Sequence, residues 1–238
     1  MGGVPLSQSD ARKFKNRGLG DVKRHSSFSA RIGIVTGLFS EATIARKLTE
    51  SVLCAGGRPE VAAGHARRLI QGGATSLMSF GIAGGLRDDL APGTLVVADR
   101  VVTANGEYRA NPAVAKALRA MVGCIYGGEA IVARSDAKAA LAARTGALAV
   151  DLESGPVALV AAEAGVPLIV IRAIADPAGR GLPPAALLPL DLRGRPRLGA
   201  VFGSILRHPG QIAGLIATAR DTGAALQALE KARRILNR

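Results

Sequence analysis

The run Gly146-Ala-Leu-Ala-Val150-Asp151-Leu152-Glu153-Ser154-Gly-Pro156-Val-Ala-Leu-Val-Ala-Ala-Glu-Ala164-Gly-Val166-Pro-Leu-Ile-Val-Ile171-Arg172-Ala-Ile-Ala-Asp176 reads as strand, helix, strand. Two short apolar runs, Gly146 to Val150 and Val166 to Ile171, each lead into an acidic turn. Between them Pro156 to Ala164 is rich in alanine, with a proline suited to the first turn of a helix. Strands joined through a helix are normally parallel and right-handed. That rule predicts Glu153 and Asp176 at one edge of a sheet, the carboxyl edge, where open α/β sheets place ligands.

Two further turns are expected on that edge. Thr36-Gly37-Leu38-Phe39-Ser40-Glu41 follows the apolar run Ile32 to Val35, and the glycine loop Ser79-Phe80-Gly81-Ile82-Ala83-Gly84-Gly85-Leu86 follows Ala74 to Phe80. The loop has neither the Gly-Lys-Ser/Thr of a Walker loop nor the G-x-G-x-x-G spacing of a dinucleotide site. Its glycines admit a close neighbour, either a flat ligand or an adjoining strand. Farther out, Arg58 to Gln71 reads as a helix opened by Pro59 and closed by Gly72-Gly73, Leu95 to Val102 as a strand, and Gln211 to Leu236 as a terminal helix. On that helix Ile212, Leu215, Ile216, Leu226 and Leu229 fall broadly on one stripe. Ala178 to Pro196, with Pro183-Pro184, Pro189 and Gly194, breaks the alternation and reads either as a lid or as a surface linker. The expected fold class is α/β, a single-domain three-layer sandwich around a mixed, largely parallel central sheet. Residues 31–238 form that domain, preceded by a basic flexible extension over 1–30.

Composition narrows the partners. The chain has 238 residues, 48% of them hydrophobic, enough for a substantial core. Its apolar runs fall short of the roughly 20 residues of a membrane span. The first thirty residues are polar and basic and show no signal peptide, so a cytoplasmic location is expected. Cys54 and Cys124 have no metal-ligand spacing and read as core residues. The formal charge of +13 attracts phosphate in any form, whether of nucleic acid, anionic lipid or a small substrate. Nucleic acid fits poorly, because stacking platforms need aromatic side chains and the chain has no Trp, two Tyr and five Phe. Peripheral contact with the inner face of an anionic membrane and a solvated basic surface both remain open.

Taken in order and spacing, Gly81-Ile82-Ala83-Gly84-Gly85-Leu86, the stretch Leu90 to Asp99, Asp151-Leu152-Glu153-Ser154 and Arg172-Ala-Ile-Ala-Asp176 resemble the nucleoside phosphorylase superfamily. That superfamily includes the methylthioadenosine/adenosylhomocysteine nucleosidases, and the resemblance runs from about Ile32 to Asp176. The segment from Cys54, the Ser79 to Leu86 loop, the stretch from Asp176 to Asp191 and the run from Gly194 are similar to the hopanoid-associated phosphorylases. The resemblance implies a nucleoside phosphorylase-type fold, a homo-oligomer of two, three or six subunits, and cleavage of the N-glycosidic bond of an adenine nucleoside. For the second group the implied substrate is adenosylhopane, whose 5′ carbon carries a hydrophobic tail, and the product is adenine, released during hopanoid side-chain synthesis.

By the same resemblance Asp176 is the general acid at purine N7, which requires a raised pKa. Glu153 binds the ribose hydroxyls and stabilises the oxocarbenium-like sugar. Leu152 takes the place of a methionine against the ribose. Glu41 positions an attacking water; read without the resemblance, it is a helix-start glutamate. Ile82, Ala83 and Gly84 line the substrate, and Ile131 and Val132 contact the base in place of an aromatic-plus-apolar pair. Ile82 replaces a Ser or Thr, and Ser79 an arginine that binds phosphate in one phosphorylase branch. Thr36, Gly37 and Ser79 mark the water or phosphate site, with Arg46, Arg87, Arg100 and Arg109 as candidate substitutes for the missing cation. No metal and no cofactor are called for; phosphate is the one possible co-substrate. Hydrolysis and phosphorolysis both stay open. So do a methylthioadenosine/adenosylhomocysteine-type nucleosidase, a purine nucleoside phosphorylase and a non-catalytic nucleoside- or lipid-binding homologue.

Overall fold

A computed structural model describes residues 31–188, 191, 194, 195 and 197–238; the extension expected over 1–30 lies outside the described residues. The strands are β1 (Ile32–Thr36), β2 (Val52–Cys54), β3 (Ser76–Gly85), β4 (Leu95–Val102), β5 (Glu107–Arg109), β6 (Met121–Gly127), β7 (Ala149–Asp151) and β8 (Leu168–Asp176). The helices are α1 (Phe39–Ala45), α2 (Pro59–Gln71), α3 (Ala115–Leu118), α4 (Ser135–Thr145), α5 (Ser154–Glu163), α6 (Leu198–Arg207) and α7 (Ile212–Leu236).

Strand periodicity creates the layers. Ile34 and Val35, Leu77 and Met78, Val96 and Val97, and Val170 and Ile171 are adjacent pairs whose members belong to two different apolar clusters. One cluster is covered by Ala62, Ala66 and Leu69 of α2 with Val157, Ala158 and Ala161 of α5. The other is covered by Ala42 and Ala45 of α1, Leu118 of α3, and Ala225, Leu229 and Ala232 of α7. The spacing on α2 and α7 is that of one helical face. Strands buried on both sides need near-continuous apolar sequence, which accounts for β3 and β8.

The strand order is β2-β1-β3-β7-β6-β4-β5, and β8 pairs with both β3 and β4. The strands β3, β7, β6, β4 and β8 therefore close a ring. Pairing is parallel for β1–β2, β1–β3, β3–β8, β4–β6 and β6–β7, and antiparallel for β3–β7, β4–β5 and β4–β8. The mixed, largely parallel sheet expected from the sequence is thus present.

Two sequence readings need correction. First, β7 and β8 are not parallel neighbours: β3 lies between them, parallel to β8 and antiparallel to β7. The acidic turns still meet, because β3 and β7 overlap only at their tips, Gly84 with Val150 and Gly85 with Ala149. Gly84 also pairs with Asp176. Second, the glycine loop is strand: β3 continues through Gly85, held by pairing with β8 beyond Phe80.

The helix expected at Pro59 and the strand at Leu95–Val102 form as read. The terminal helix forms too, but its apolar stripe divides. Leu229 is fully buried, whereas Ile216 is 65% exposed. Leu229→Ala should therefore cost about 2–5 kcal/mol in urea denaturation, and Ile216→Ala less than about 1 kcal/mol. Equal costs would contradict this division of the helix.

Candidate active site

The carboxyl ends of β1, β3, β7 and β8 gather buried ionisable side chains in two groups. In the first, Glu41 sits in the first turn of α1 and turns back on the chain. Its Oε2 accepts the backbone N–H groups of Gly37 (2.9 Å) and Leu38 (2.7 Å), and its Oε1 accepts that of Ile82 (2.8 Å). The side chain thereby ties the β1 turn to β3. Burial pushes its pKa up despite the Arg172 charge and these amide donors.

Arg172, on β8 opposite Gly81 of β3, is wholly buried. Its Nε lies 2.5 Å from Asp151 Oδ2, and its Nη2 donates to Ser79 Oγ (2.5 Å) and Ser154 Oγ (3.0 Å). Nη2 is also 3.9 Å from Glu153 Oε2, and Nη1 is buried without a hydrogen-bond partner. Asp151 is occupied in turn: its Oδ1 accepts the N–H groups of Glu153 and Ser154 at the start of α5. Asp151 thus anchors the start of α5 to Arg172.

Glycines let these groups come together. A Cβ on Gly37 would stand 2.5 Å from Glu153 Oε1, and one on Gly81 would stand 2.6 Å from Arg172 Nη1 and 2.7 Å from the Glu41 carboxyl carbon. One guanidinium thus faces three carboxyl groups and is in direct contact with Asp151. Glu153 is left with the poorest compensation: burial, and then the charges of Asp151 and Glu41, push its pKa up to about 8 against the pull of Arg172.

The second group centres on Asp176, at the end of β8 beside Gly84. Its Oδ2 is 2.6 Å from Nζ of Lys138, a lysine of α4 with no solvent exposure. Lys138 also donates to the carbonyls of Pro177 (2.9 Å) and Arg180 (3.0 Å), which fixes the chain leaving β8. Asp176 Oδ1 is buried without a partner. Burial raises the Asp176 pKa, and the bond to Lys138 opposes it. Ile82 and Gly84, which contact the two groups, are two residues apart on β3, about 7 Å along the strand.

Of the other residues picked from the sequence, Thr36, Gly37, Ser79, Ile82, Ala83, Gly84 and Leu152 lie on the strand ends and turns that carry these groups. Thr36 and Ser79 are fully buried. Ile131 and Val132 lie in the loop after β6: Ile131 is 49% exposed, and Val132 packs against a small cluster with Leu86 and Leu141. Their loop is nonetheless tied to the site's framework, through Gly128 N–H to Asp151 O and Leu182 N–H to Ala133 O. None of the candidate substitute arginines joins the cluster. Arg87 pairs with Asp89, Arg100 with Asp99 and Glu107, Arg46 caps α1, and Arg109 is exposed on β5. Cys54, read as a core residue, is half-buried at the end of β2 with its Sγ 3.4 Å from Gly37 O. An open cleft beside Leu86, Asp88, Ser135 and Gly179 carries exposed acids, and buried carboxyl groups are found elsewhere.

The sequence reading missed Lys138 and gave Arg172 no role. Arg172 had left a signal, a charge inside a strand apolar on both faces. Lys138 had left none, since Ser135-Asp-Ala-Lys138-Ala reads as an exposed helix start.

Glu153 supplies a test of the electrostatics. A carboxyl whose folded pKa lies above its ordinary value contributes stability that is full below about pH 4.5 and is lost as pH rises towards 8. Between pH 5 and pH 9 the wild-type protein should lose on the order of a few kcal/mol more than Glu153→Gln, measured by denaturation at each pH. Parallel pH profiles would contradict the neutral, buried Glu153.

Comparison with known proteins places this geometry in a wider setting. Residues 19–188, well over half of the chain, match the family model of the Phosphorylase superfamily. No curated protein matches the chain significantly. Among solved structures, the futalosine hydrolase of Helicobacter pylori aligns with a TM-score of 0.64 at 16% identity, covering 89% of this chain and 98% of that one. The 5′-methylthioadenosine/S-adenosylhomocysteine nucleosidase of Neisseria meningitidis, in complex with methylthio-immucillin-A, aligns with a TM-score of 0.61 at 16% identity over 87% and 98%. A mutant of the corresponding Helicobacter pylori enzyme, with 5′-methylthioadenosine in its active site, aligns with a TM-score of 0.59 at 17% identity over 85% and 97%. The strand ends that carry the buried acids thus belong to a fold shared with nucleoside-cleaving enzymes, and the chain is a member of the phosphorylase superfamily.

Proposed function

We propose that this protein hydrolyses the N-glycosidic bond of an adenine nucleoside. The observation that carries the reading is Asp176: buried, with one oxygen held by Lys138 and the other without a partner, at the same strand ends as a second buried carboxyl group, Glu153. Breaking the bond between C1′ and N9 sends its electron pair to the purine and leaves positive charge on the sugar. Asp176, protonated, gives its proton to N7, and the carboxylate that forms is stabilised by Lys138. Burial holds the proton beforehand; the lysine makes the acid strong enough to release it. Glu153 hydrogen-bonds the ribose hydroxyls, and the excess of carboxyl groups favours the cationic sugar. Water adds to C1′ and passes a proton to Glu41.

Charge favours water over phosphate as the nucleophile. A phosphate dianion would enter beside the carboxyl groups of Glu41, Glu153 and Asp151 with only Arg172 to offset them, and Arg172 already commits Nε and Nη2 to Asp151, Ser79 and Ser154, leaving Nη1 alone unpartnered. Catalytic phosphate sites depend on cations free to make charge-assisted bonds. The proposed substrate is an adenosyl lipid, adenosylhopane by the resemblance of the segments from Cys54 and Asp176. The chain after Asp176 supports a substituent at the 5′ position, because it returns to the Gly37 turn: Phe39 N–H donates to Gly194 O, and Arg195 lies 3.9 Å over the Phe39 ring.

Chromatographic analysis of products tests both claims. Adenine should be released from adenosylhopane at equal rates with and without phosphate, and Asp176→Asn should lower the rate by about 10²–10⁴-fold. Phosphate-dependent formation of a sugar 1-phosphate would overturn hydrolysis; binding without release of base would leave a nucleoside-binding protein. Lys138→Met should slow turnover and move the high-pH limb of the rate profile upward, because the acid loses the charge that lowers its pKa. A slower variant with an unmoved limb would assign Lys138 to scaffolding alone.

A further inference from the structure

Helix α6 has no buried residue, so it lacks the packing that stabilises most short helices. Leu198, Phe202 and Leu206, spaced four apart, are 79%, 63% and 69% exposed and form one stripe. Ile212 and Ile216, one turn apart at the start of α7, are 45% and 65% exposed. Single exposed apolar residues are ordinary; five within twenty residues mark an interaction surface.

Charge identifies what covers it. Arg197, Arg207 and Arg220 are exposed around this surface, and no Asp or Glu occurs in the sequence between Asp191 and Asp221. A second copy docked face to face would set these arginines against their own kind, with no acid from the segment to offset them. An apolar stripe with basic flanks and no acids suits the interface of an anionic bilayer. We infer that α6 and the first turns of α7 dock on anionic membrane, with Leu198, Phe202 and Leu206 in the acyl boundary and the arginines at the headgroups. Because Gly194 precedes α6 and touches the Gly37 turn, docking would set the candidate site beside the lipid. The inference rests on this surface alone and not on the chemistry assigned to the site.

Co-sedimentation of the full chain with vesicles tests it without any substrate. Vesicles of phosphatidylcholine with phosphatidylglycerol should bind the protein, and phosphatidylcholine alone should bind it weakly. Phe202→Glu with Leu206→Glu should reduce binding by at least about tenfold. Replacing Arg197, Arg207 and Arg220 by Gln should also reduce it, and added salt should weaken the wild type more than that variant. Thermal unfolding checks that the variants keep the fold, which the exposure of these residues favours. Absence of binding to anionic vesicles, or binding unchanged in the Glu variant, overturns the proposal. So does sedimentation showing that the Glu variant splits an oligomer while vesicles fail to bind, which would make a second copy the occupant.

Discussion

A single guanidinium, Arg172, stands in the core with three carboxyl groups around it, and the ligand-facing edge is organised by that imbalance. It holds Asp151, which caps α5, and donates to Ser79 and Ser154, locking β3, β7 and β8 together at their carboxyl ends. Removing a charge from such a cluster leaves others buried without compensation, which is why its parts form one unit. Burying three carboxyl groups around one guanidinium is costly for the folded chain. That cost fits a site whose task is to meet a cation.

The geometry of β3 gives this imbalance a direction. Ile82 binds Glu41 in one group, and two residues on, Gly84 lies against Asp176 in the other. In the proposed function a nucleoside spans this distance, with its sugar by the first group and its base by the second. The two groups are tuned oppositely. At the proposed sugar end three carboxyl groups share one guanidinium, whereas at the proposed base end Lys138 balances a single aspartate. Bond cleavage separates charge in the same sense, positive on the sugar and negative on the base.

Much of this was legible in the sequence because it rests on local patterns. Apolar runs ending in acidic turns located β7 and β8, and Pro59 and Gly72 bounded α2. The path of β3 was not legible. Glycines suggest a loop, and pairing with β8 as far as Asp176 and with β7 at the tip makes Gly81 to Gly85 a strand. Nor was the relation between β7 and β8, since their crossover rule assumes a shared sheet neighbourhood that the closed ring replaces. Lys138 was hidden for a related reason: its burial is decided by the chain after β8 folding over α4, a contact of distant segments. The terminal helix showed its stripe plainly, but periodicity cannot say which half finds a core.

The claim at the centre of this account is that the proposed sugar end of the site holds more carboxyl groups than cations, so that a cationic sugar is bound as Glu153 gives up its proton. Calorimetric titration with two adenosine analogues of the same shape, one with a protonated nitrogen in the sugar ring and one with a neutral ring, tests it most directly. The account predicts that the cationic analogue binds at least about 100-fold more tightly, a difference of about 2.7 kcal/mol. Equal affinities, or a preference for the neutral ring, would contradict it.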